Sequence, residues 1–398
     1  MSNSSLDDAF NIFDLRDKAR ARLPRWLFEF VDRGTEDEVA LRNNRTAFER
    51  IKLKTHILND VSKRTQKVTL FGKQHDMPIA IAPTGSAGMM WYQGELELAR
   101  AAKAAGIPFS LSTGSITSME KIASDVGGTL WFQLYMWADR NLSLQLVNRA
   151  RAAGYEGLIV TVDGVVAGNR EYNQRNGFSV PFSYNRRNSI DVMTHPGWLL
   201  GVLARYLLTT GMPKRENYPE ELKQKITSGW KNQAAARNDS LSWDDLKALR
   251  AAWPGKLMVK GILNARDAVM AADHGADGVI VSNHGARNLD STPAPIDVLP
   301  RVVDAVGNRT TVIVDSGFRR GSDVVKALAL GAKMVLIGRG TLYGTAVAGQ
   351  AGAARAIDIY REEIDRVMAL VGCTGVAELG PKYLNSTDDA NDATTGKS

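Results

Sequence analysis

Residues 278–290 of the chain read Gly-Val-Ile-Val-Ser-Asn-His-Gly-Ala-Arg-Asn-Leu-Asp, a short apolar run followed by a polar turn. The run 278–281 predicts a buried strand, and His284 and Arg287 follow where that strand ends. An imidazole can accept a proton near neutral pH, and a guanidinium can hold a carboxylate through two parallel hydrogen bonds. The same residues also fit a polar turn with a solvated arginine. The segment alone does not decide between these interpretations.

This pattern recurs along the chain. Seven further short apolar runs each lead into polar or glycine residues, with helical patterns between them. The eight runs cover residues 79–82, 108–111, 130–134, 158–162, 257–259, 278–281, 312–314 and 334–337. Continuous apolar runs of this length are typical of parallel strands buried on both faces. Eight such units predict an α/β fold, the TIM (β/α)8 barrel. A doubly wound sheet is the alternative, but no early Gly-x-Gly-x-x-Gly follows a first strand.

The 398 residues are expected to form a single barrel domain with added segments. Residues 1–75 predict an N-terminal helical and capping segment, in which a helix starts near Pro24 and ends at Gly34. The segment between Val162 and Leu257 contains far too many residues for a single crossover connection between two strands. It predicts an excursion after the fourth strand, with a long insertion over 179–241. The polar residues 385–398 predict a disordered tail.

The composition is that of a soluble globular protein, with 44% hydrophobic and 23% charged residues. Fifty basic residues stand against 43 acidic ones, and the net charge of +7 comes without a long basic run. A charged small ligand accounts for this excess as well as nucleic acid does, and we expect no nucleic-acid partner. The single cysteine, Cys373, excludes an intrachain disulfide. Without a recognisable signal peptide or spanning run, a cytoplasmic location is expected.

Residues 198–208, Trp-Leu-Leu-Gly-Val-Leu-Ala-Arg-Tyr-Leu-Leu, form an apolar stretch within the excursion. The stretch is too short to span a membrane, and basic residues flank it at Arg186, Arg187, Lys214 and Arg215. Three interpretations remain open: it rests on a membrane surface, seals a subunit interface, or caps the barrel mouth. The first would place the protein peripherally on the inner face of the membrane.

The ends of the eight predicted strands share one property. Each delivers polar or glycine residues, at positions 83–85, 112–114, 133–135, 161–163, 260–261, 282–284, 315–317 and 338–339. TIM barrels build their active sites from the carboxyl ends of the strands. The sequence therefore predicts that these residues meet at one catalytic rim.

The last two strand ends favour a phosphorylated cofactor. Residues 315–321, Asp-Ser-Gly-Phe-Arg-Arg-Gly, and the pair Gly338-Arg339 place glycines and arginines where TIM barrels commonly hold phosphate. Taken alone, Arg319 or Arg320 fits a surface arginine equally well. The neighbouring glycine–arginine pair makes phosphate the better interpretation.

Three further charged residues lie near the rim. Lys260 ends an apolar strand, so its ammonium is predicted to stabilise an electron-rich cofactor or a developing negative charge. A Schiff-base lysine and a lysine paired with an acid are the alternatives. Asp163 can support a protonated histidine, and Arg170 adds a second cation for an anionic substrate. The five histidines show no pair at metal-ligand spacing, and no metal site is expected.

The motif at 282–290, the segment 315–321 and the triplet Gln133-Leu134-Tyr135 together resemble the FMN-dependent L-2-hydroxy-acid dehydrogenase/oxidase family. The similarity runs from about residue 13 to about residue 384 and is greatest towards the mandelate and lactate dehydrogenases. The resemblance implies FMN as cofactor and oxidation of an (S)-2-hydroxy acid to the 2-keto acid. It also implies a homotetramer.

The resemblance implies roles for individual residues. His284 would be the base, Asp163 would support its imidazolium, and Lys260 would stabilise the reduced flavin. The substrate carboxylate and hydroxyl would be bound by Tyr135, Arg170 and Arg287. The residues implied to hold the cofactor are, besides Lys260, Pro83, Thr84, Gly85, Ser112, Gln133, Thr161, Ser282, Asp315, Gly317, Arg319, Gly338 and Arg339.

Five positions depart from patterns common in that family. Phe30 stands in the substrate site where many members carry a carboxylate-binding tyrosine, which removes a hydrogen bond of about 1.5–3 kcal/mol. Ala286 replaces a glycine and is expected to crowd its loop. Asn169 replaces a first arginine. Gly114 replaces the tryptophan of glycolate oxidases, which leaves room for a bulky substrate. Gly85 replaces the alanine of many oxidases.

The electron acceptor follows only loosely from these positions. Family members with a glycine at this position tend to pass electrons to a quinone or another carrier, so the resemblance implies such an acceptor for Gly85, and oxygen with production of hydrogen peroxide is the alternative. A third hypothesis is a non-catalytic barrel that binds phosphate or a membrane.

Overall fold

A computed structural model describes residues 4–178, 186–227 and 239–385 of the chain. The tail predicted over 385–398 lies outside these residues from 386 onward, as do parts of the insertion predicted over 179–241. The strands within the described ranges are β1 Val68–Leu70, β2 Lys73–His75, β3 Ile79–Thr84, β4 Phe109–Ser112, β5 Leu130–Leu134, β6 Gly157–Thr161, β7 Lys256–Ile262, β8 Gly278–Val281, β9 Thr311–Val314 and β10 Met334–Ile337.

Strands β3 to β10 close into a barrel in chain order, and every neighbouring pair is parallel. The ring closes where β10 pairs with β3, with Val335 opposite Ile79. Each barrel strand overlaps the apolar run that predicted it. The predicted TIM barrel is therefore confirmed.

Helices surround the barrel and fill the excursion between β6 and β7. Residues 196–209 form one helical stretch, because a π-helical turn, Leu199–Ala204, joins α10 to α11. The helices are α1 Ser4–Asp7, α2 Ile12–Arg22, α3 Arg25–Asp32, α4 Val39–Arg50, α5 Gly94–Ala104, α6 Met119–Asp125, α7 Arg140–Ala152, α8 Glu171–Asn176, α9 Arg186–Met193, α10 Pro196–Trp198, α11 Arg205–Thr209, α12 Trp243–Ala252, α13 Ala265–Asp273, α14 Pro295–Val306, α15 Gly321–Ala329 and α16 Arg339–Val371. The predicted N-terminal helices and the excursion after the fourth barrel strand are both present.

The inside of the barrel changes from apolar to polar along the strands. Successive side chains of a strand point to opposite faces, so every second residue faces the barrel interior. One buried interior cluster contains Trp131, Ile159, Met258, Ile280 and Ile313. Two residues further along the same five strands lie Gln133, Thr161, Lys260, Ser282 and Asp315, which are also buried. The alternation thus builds a polar layer at the carboxyl ends of the strands.

The opposite end of the barrel is closed by the antiparallel hairpin β1–β2. Leu70 belongs to the interior cluster, and the ring of Phe71 lies edge-on to Trp131 with 6.4 Å between centroids. This hairpin is not among the elements predicted from sequence. Its strands have three residues each, too few for a clear alternating pattern.

The helical stretch 196–209 has one buried and one exposed face. Trp198, Val202 and Tyr206 recur at four-residue spacing and pack inward, and the Trp198 indole donates to the Met89 carbonyl at 2.7 Å. Leu207 and Leu208 are 53% and 86% exposed. Among the described residues, no helix combines the length and apolarity needed to cross a membrane.

Candidate active site

The polar layer of the barrel forms the floor of the site. The Ser112 hydroxyl donates to the Gln133 side-chain oxygen, and the Gln133 amide donates to the Thr161 hydroxyl, both at 2.9 Å. On the other side of the barrel, the Lys260 ammonium lies 2.8 Å from the Ser282 hydroxyl and 3.1 Å from an Asp315 carboxylate oxygen. These hydrogen bonds satisfy polar groups whose burial without a partner would be unfavourable.

A cavity of about 240 Å³ lies above this floor. Eighteen residues predicted for the site line it: Phe30, Pro83, Thr84, Gly85, Ser112, Gly114, Gln133, Tyr135, Thr161, Arg170, Lys260, His284, Arg287, Asp315, Gly317, Arg319, Gly338 and Arg339. Asp163 and Ser282 do not line the cavity but contact His284 and Lys260, which do. The predicted residues therefore form one site.

The turn after β8 presents His284 to this cavity. The backbone φ angles of His284, Gly285 and Ala286 are 58°, 65° and 61°, three successive residues in the left-handed region. This conformation costs roughly 1–2 kcal/mol for each residue other than glycine. Two hydrogen bonds hold the turn. The Ser282 hydroxyl accepts one from the His284 backbone amide, and the Ser316 hydroxyl accepts one from the Gly285 backbone amide, both at 3.0 Å.

Ala286 occupies a fully buried position in this turn. Its carbonyl oxygen accepts a hydrogen bond from the Thr35 backbone amide at 3.0 Å. Its own backbone amide donates a hydrogen bond to the Asn283 side-chain oxygen at 3.1 Å. The methyl group expected to crowd the loop is accommodated. Alanine adopts a left-handed conformation here, which glycine would adopt without the steric cost.

His284 is poised as a base. Its Nδ1 lies 2.9 Å from Asp163 Oδ1, and its Nε2 lies 3.1 Å from the Tyr135 hydroxyl. Burial lowers the pKa of His284 below its ordinary value of 6.5, and Lys260 adds to this effect, while Asp163 opposes it. Burial alone would raise the pKa of Asp163, but His284 and Lys260 outweigh it and keep the pKa low. At neutral pH a carboxylate therefore faces a neutral imidazole.

Tyr135 completes this group as a hydroxyl donor. Burial, followed by the charge of Asp163, raises its pKa to about 12, although Lys260 opposes the rise. The phenol therefore stays protonated near neutral pH. Because the Nδ1–H group of His284 donates a hydrogen bond to Asp163, Nε2 carries the lone pair and can accept a hydrogen bond from the Tyr135 hydroxyl.

Arg170, Arg287 and Arg339 bring concentrated positive charge to the cavity. Burial lowers the pKa of Arg287 to about 10, with a further contribution from Arg170, and burial and Arg287 likewise lower that of Arg339 to about 10. All three remain charged at neutral pH. Across the described part of the chain, no carboxylate forms an ion pair with any of them. Buried cations in this state suit anionic ligands.

Backbone carbonyls orient these arginines. Arg287 Nη1 donates to the Phe30 and Arg33 carbonyls at 2.7 and 3.2 Å. Arg339 donates to the carbonyls of Val31, Arg33 and Gly285 at 2.8–3.0 Å. The carbonyls at the carboxyl end of α3 carry partial negative charge, which stabilises the guanidinium groups. This role of α3 was not predicted, because a carbonyl leaves no signal in the sequence.

Lys260 is both a cavity residue and one partner of a buried ion pair. Burial alone would lower its pKa, but Asp315, Asp163 and Tyr135 together raise it above the ordinary 10.5. The lysine is therefore protonated at neutral pH. A protonated amine is not a nucleophile, so the Schiff-base alternative loses support.

The residues present fit the phosphate end of FMN. Arg319 lines the cavity, and its guanidinium donates within the described chain only to the neighbouring Phe318 carbonyl, at 2.9 Å. A side chain at Gly317, whose φ is 86°, would place a Cβ only 2.3 Å from the Asn44 carbonyl oxygen. The chain thus approaches closely there, and Gly317 lines the cavity together with Arg319 and Arg339. Arg320, the other arginine considered, instead pairs with Glu363 at 2.7 Å.

The remaining lining residues come mainly from apolar positions. They are Val31, Ala82, Gly285, Ser316, Phe318, Leu336 and Leu342. Val31 lies on α3 and Leu342 in the first turn of α16, and no local pattern in the sequence reveals that these two side chains reach the cavity. In the described ranges, no cluster of three or more histidine, cysteine or acidic side chains could hold a metal ion.

Two glycines leave open space at one end of the cavity. A Cβ on Gly85 would lie 3.5 Å from the Gly114 carbonyl oxygen, and one on Gly114 would lie 3.6 Å from the Gly85 Cα. Both distances are ordinary contacts, so neither glycine is required by the packing. Their absent side chains provide room for a ligand.

Comparisons with known proteins agree with this geometry. The model of the FMN-dependent dehydrogenase family matches residues 19–386. The chain is 42% identical to (S)-mandelate dehydrogenase of Pseudomonas putida over 388 residues, which cover 96% of each chain. It is 39% identical to an L-lactate dehydrogenase of Vibrio cholerae serotype O1 over 368 residues, which cover 92% of this chain and 96% of that protein.

Solved structures show the same likeness. The crystal structure of the monotopic membrane protein (S)-mandelate dehydrogenase matches with a TM-score of 0.89 and 42% identity, covering 95% of this chain and 99% of the other. Mandelate oxidase with (S)-2-phenylpropionate matches with a TM-score of 0.79 and 35% identity, covering 94% and 98%.

Proposed function

Because this chain belongs to the FMN-dependent dehydrogenase family, we propose that it oxidises an (S)-2-hydroxy acid to the 2-keto acid. The observation that carries the proposal is one arrangement of side chains. The neutral imidazole of His284, held by Asp163, lines the same cavity as Arg170 and Arg287. A base next to two buried cations suits a substrate that carries both a transferable proton and a carboxylate.

His284 Nε2 accepts the proton that leaves the substrate carbon or hydroxyl. Asp163 holds the Nδ1 proton and stabilises the imidazolium that results, as a buried carboxylate does in other base-assisted reactions. Arg287 and Arg170 bind the carboxylate, and the Tyr135 hydroxyl donates to the substrate oxygen. When bound, FMN would supply the oxidant, taking up the two electrons and the second hydrogen that the substrate loses. Lys260 supplies positive charge beside the cofactor, and Gly317, Arg319, Gly338 and Arg339 would hold its phosphate.

Replacing Asp163 by asparagine should shift the pH dependence of catalysis. Asp163 raises the pKa of His284, so its removal lowers that pKa further and makes the imidazole a weaker base. A protonated imidazole cannot accept a proton, so the acid limb of kcat/KM lies below pH 6.5 in the natural protein and should move to lower pH in Asp163→Asn. The maximal rate should fall by about ten- to a hundredfold, less than on loss of the base itself. A rate profile between pH 4.5 and 9 measures both effects, and an unmoved acid limb would contradict this role.

The size of the cavity favours an acid larger than glycolate. Gly114 and Gly85 leave open space beside Phe30 and Tyr135, so the proposed substrates are mandelate-like or lactate-like. The purified protein should be yellow and should bleach without oxygen when the right acid is added. A panel of (S)-2-hydroxy acids, read by the rate of bleaching, ranks the candidates. A flavin-loaded protein that no 2-hydroxy acid bleaches would instead favour a non-catalytic barrel.

For the electron acceptor, we propose a quinone or another carrier. Gly85 supports it through the resemblance described above, and the similarity to mandelate oxidase makes oxygen the second candidate. The two differ in their products. Rapid formation of hydrogen peroxide in air would favour the oxidase. Slow reoxidation in air, with fast reoxidation by a soluble quinone, is the expected result.

We further propose that the exposed face of residues 196–209 contacts a membrane surface. Leu207 and Leu208 project from this face, and a structurally similar protein is a monotopic membrane protein. Replacing both leucines by serine should reduce sedimentation with vesicles of an anionic phospholipid. Leu370→Ser is the matched control, because Leu370 is 68% exposed on α16. Equal sedimentation of both variants would count against the proposal.

We also propose a homotetramer, on the basis of the resemblance described above. Exposed apolar side chains such as Phe10, Ile57 and Leu58 support an association between subunits. Sedimentation velocity of the flavin-loaded protein tests this, and a monomer at micromolar concentration would refute it.

A further inference from the structure

Asp32 is the last residue of α3 and lies among the residues whose carbonyls orient Arg287 and Arg339. An acidic side chain at the carboxyl end of a helix interacts unfavourably with the helix dipole. The stability of α3 therefore does not explain its position. Asp32 does not line the cavity, so any effect that it has on the site must act through other groups.

The Asp32 carboxylate joins three helices. Arg16 on α2 donates two parallel hydrogen bonds to it, from Nε to Oδ1 at 2.7 Å and from Nη2 to Oδ2 at 2.6 Å. The Tyr343 hydroxyl on α16 donates to Oδ1, also at 2.7 Å. Burial alone would raise the pKa of Asp32, but these hydrogen bonds outweigh it and hold the pKa below the ordinary 3.8. The end of α3 is thus tied to α2 and α16 through one charged group.

The carbonyls that flank this carboxylate in the chain hold the two cavity arginines. Arg287 Nη1 donates to the Phe30 and Arg33 carbonyls at 2.7 and 3.2 Å. Arg339 donates from Nε to the Val31 carbonyl at 2.8 Å and from Nη2 to the Arg33 carbonyl at 3.0 Å. Two-point binding of a carboxylate or a phosphate depends on the orientation of a planar guanidinium, and these acceptors set that orientation.

We propose that Asp32 is a positioning residue for both arginines: it fixes the helix end whose carbonyls direct Arg287 to the substrate carboxylate and Arg339 to the cofactor phosphate. The inference rests on the proposed function, because it takes these two anions to be the ligands of the cavity. Arg339 begins α16, and Tyr343 follows it by about one helical turn. The hydrogen bond between Tyr343 and Asp32 therefore also holds Arg339 against the carbonyls that orient it.

The test replaces Asp32 by asparagine in the flavin-loaded enzyme. Asparagine keeps the shape of the side chain but loses its charge and one of the two hydrogen bonds from Arg16. KM for the preferred acid should rise about tenfold while kcat stays within about threefold, because a misdirected Arg287 weakens binding equally before and during the reaction. The dissociation constant of FMN, measured from free-flavin fluorescence on dilution, should also rise about tenfold. A smaller folded fraction alone would lower kcat and leave KM unchanged.

Asp245→Asn is the matched control. Asp245 accepts two hydrogen bonds from Arg140, at 2.6 and 2.9 Å, and its side chain is 14% exposed, against 13% for Asp32. The two aspartates are therefore paired and buried alike, but Asp245 does not flank the carbonyls that hold Arg287 and Arg339. Its replacement should leave both KM and the dissociation constant of FMN at their natural values.

Tyr343→Phe is a milder variant that acts on the same carboxylate. It removes the hydrogen bond to α16 and retains the ring, whose centroid lies 5.7 Å from the guanidinium carbon of Arg319. The dissociation constant of FMN should rise about threefold. Added to Asp32→Asn, it should have little further effect, because both changes break the same contact. If Asp32→Asn does not fold, unchanged constants in Tyr343→Phe overturn the inference.

The outcomes separate this inference from the proposed function. If 2-hydroxy acids bleach the natural protein and Asp32→Asn keeps its KM and its affinity for FMN, the positioning role is overturned and the proposed function stands. Equal changes in Asp32→Asn and Asp245→Asn would show a general loss of stability, and the inference would again fail. If no 2-hydroxy acid bleaches the natural protein, the proposed function itself fails, and the affinities for FMN still decide whether Asp32 positions Arg339.

Discussion

The His284→Ala variant is expected to retain FMN and to lose turnover by about two to four orders of magnitude, the usual contribution of a positioned base. His284 Nε2 is the nitrogen directed towards the Tyr135 hydroxyl and the cavity, while Nδ1 is held by Asp163. Alanine removes the proton acceptor and leaves the cations that bind the substrate. The rate of anaerobic bleaching by the preferred acid measures the loss. The flavin absorbance of the purified variant confirms that the cofactor is still bound.

His274→Ala serves as the control for this substitution. His274 ends α13, where its Nδ1 contacts the Met270 carbonyl at 2.8 Å and its ring lies 5.3 Å from that of Trp243. It does not line the cavity, so its removal should leave the bleaching rate unchanged. Bleaching by His284→Ala at the natural rate would refute the assignment of the base. A variant without flavin would show that His284 is needed for cofactor binding rather than for proton transfer.

The barrel and most of its site could be predicted because both follow from local patterns. An apolar run of three to five residues marks each strand, and the last inward position of the run or the first inward position after it carries the polar side chain. Gln133, Thr161 and Ser282 are such positions. The alternation of inward and outward side chains along a strand thus predicts both the strand and the polar residues that form the floor of the site.

The features that were missed depend on contacts between distant parts of the chain. The carbonyl groups of Phe30 and Arg33 orient Arg287 across more than 250 residues, and a carbonyl is common to every residue type. The left-handed conformation of Ala286 is set by the turn around it and is rare for alanine.

The Lys260→Met variant is expected to lose about 3–5 kcal/mol of the free energy of unfolding of the apoenzyme. The Lys260 ammonium and the Asp315 carboxylate are both buried and lie 3.1 Å apart. Methionine fills a similar volume but leaves the Asp315 charge without its counter-ion. The pKa of Lys260 is raised above 10.5 in the folded protein, so its contribution to stability is fully present below pH 10.5. That contribution is lost only as the pH rises through the folded-state pKa. Denaturant unfolding at pH 7 measures the change.

The double variant Lys260→Met with Asp315→Asn shows how much of the lost free energy of unfolding comes from the broken ion pair and how much from the loss of the lysine side chain itself. Removing both charges leaves no unpaired ion, so the double variant should be more stable than Lys260→Met alone, and the two single effects should not add. Ser282 keeps one hydrogen bond to the turn in either case, since its hydroxyl also accepts the His284 amide. Additive losses in the cycle would mean that the two charges act independently. The pair would then have no structural role, and Lys260 would be retained for the charge that it presents to the cofactor.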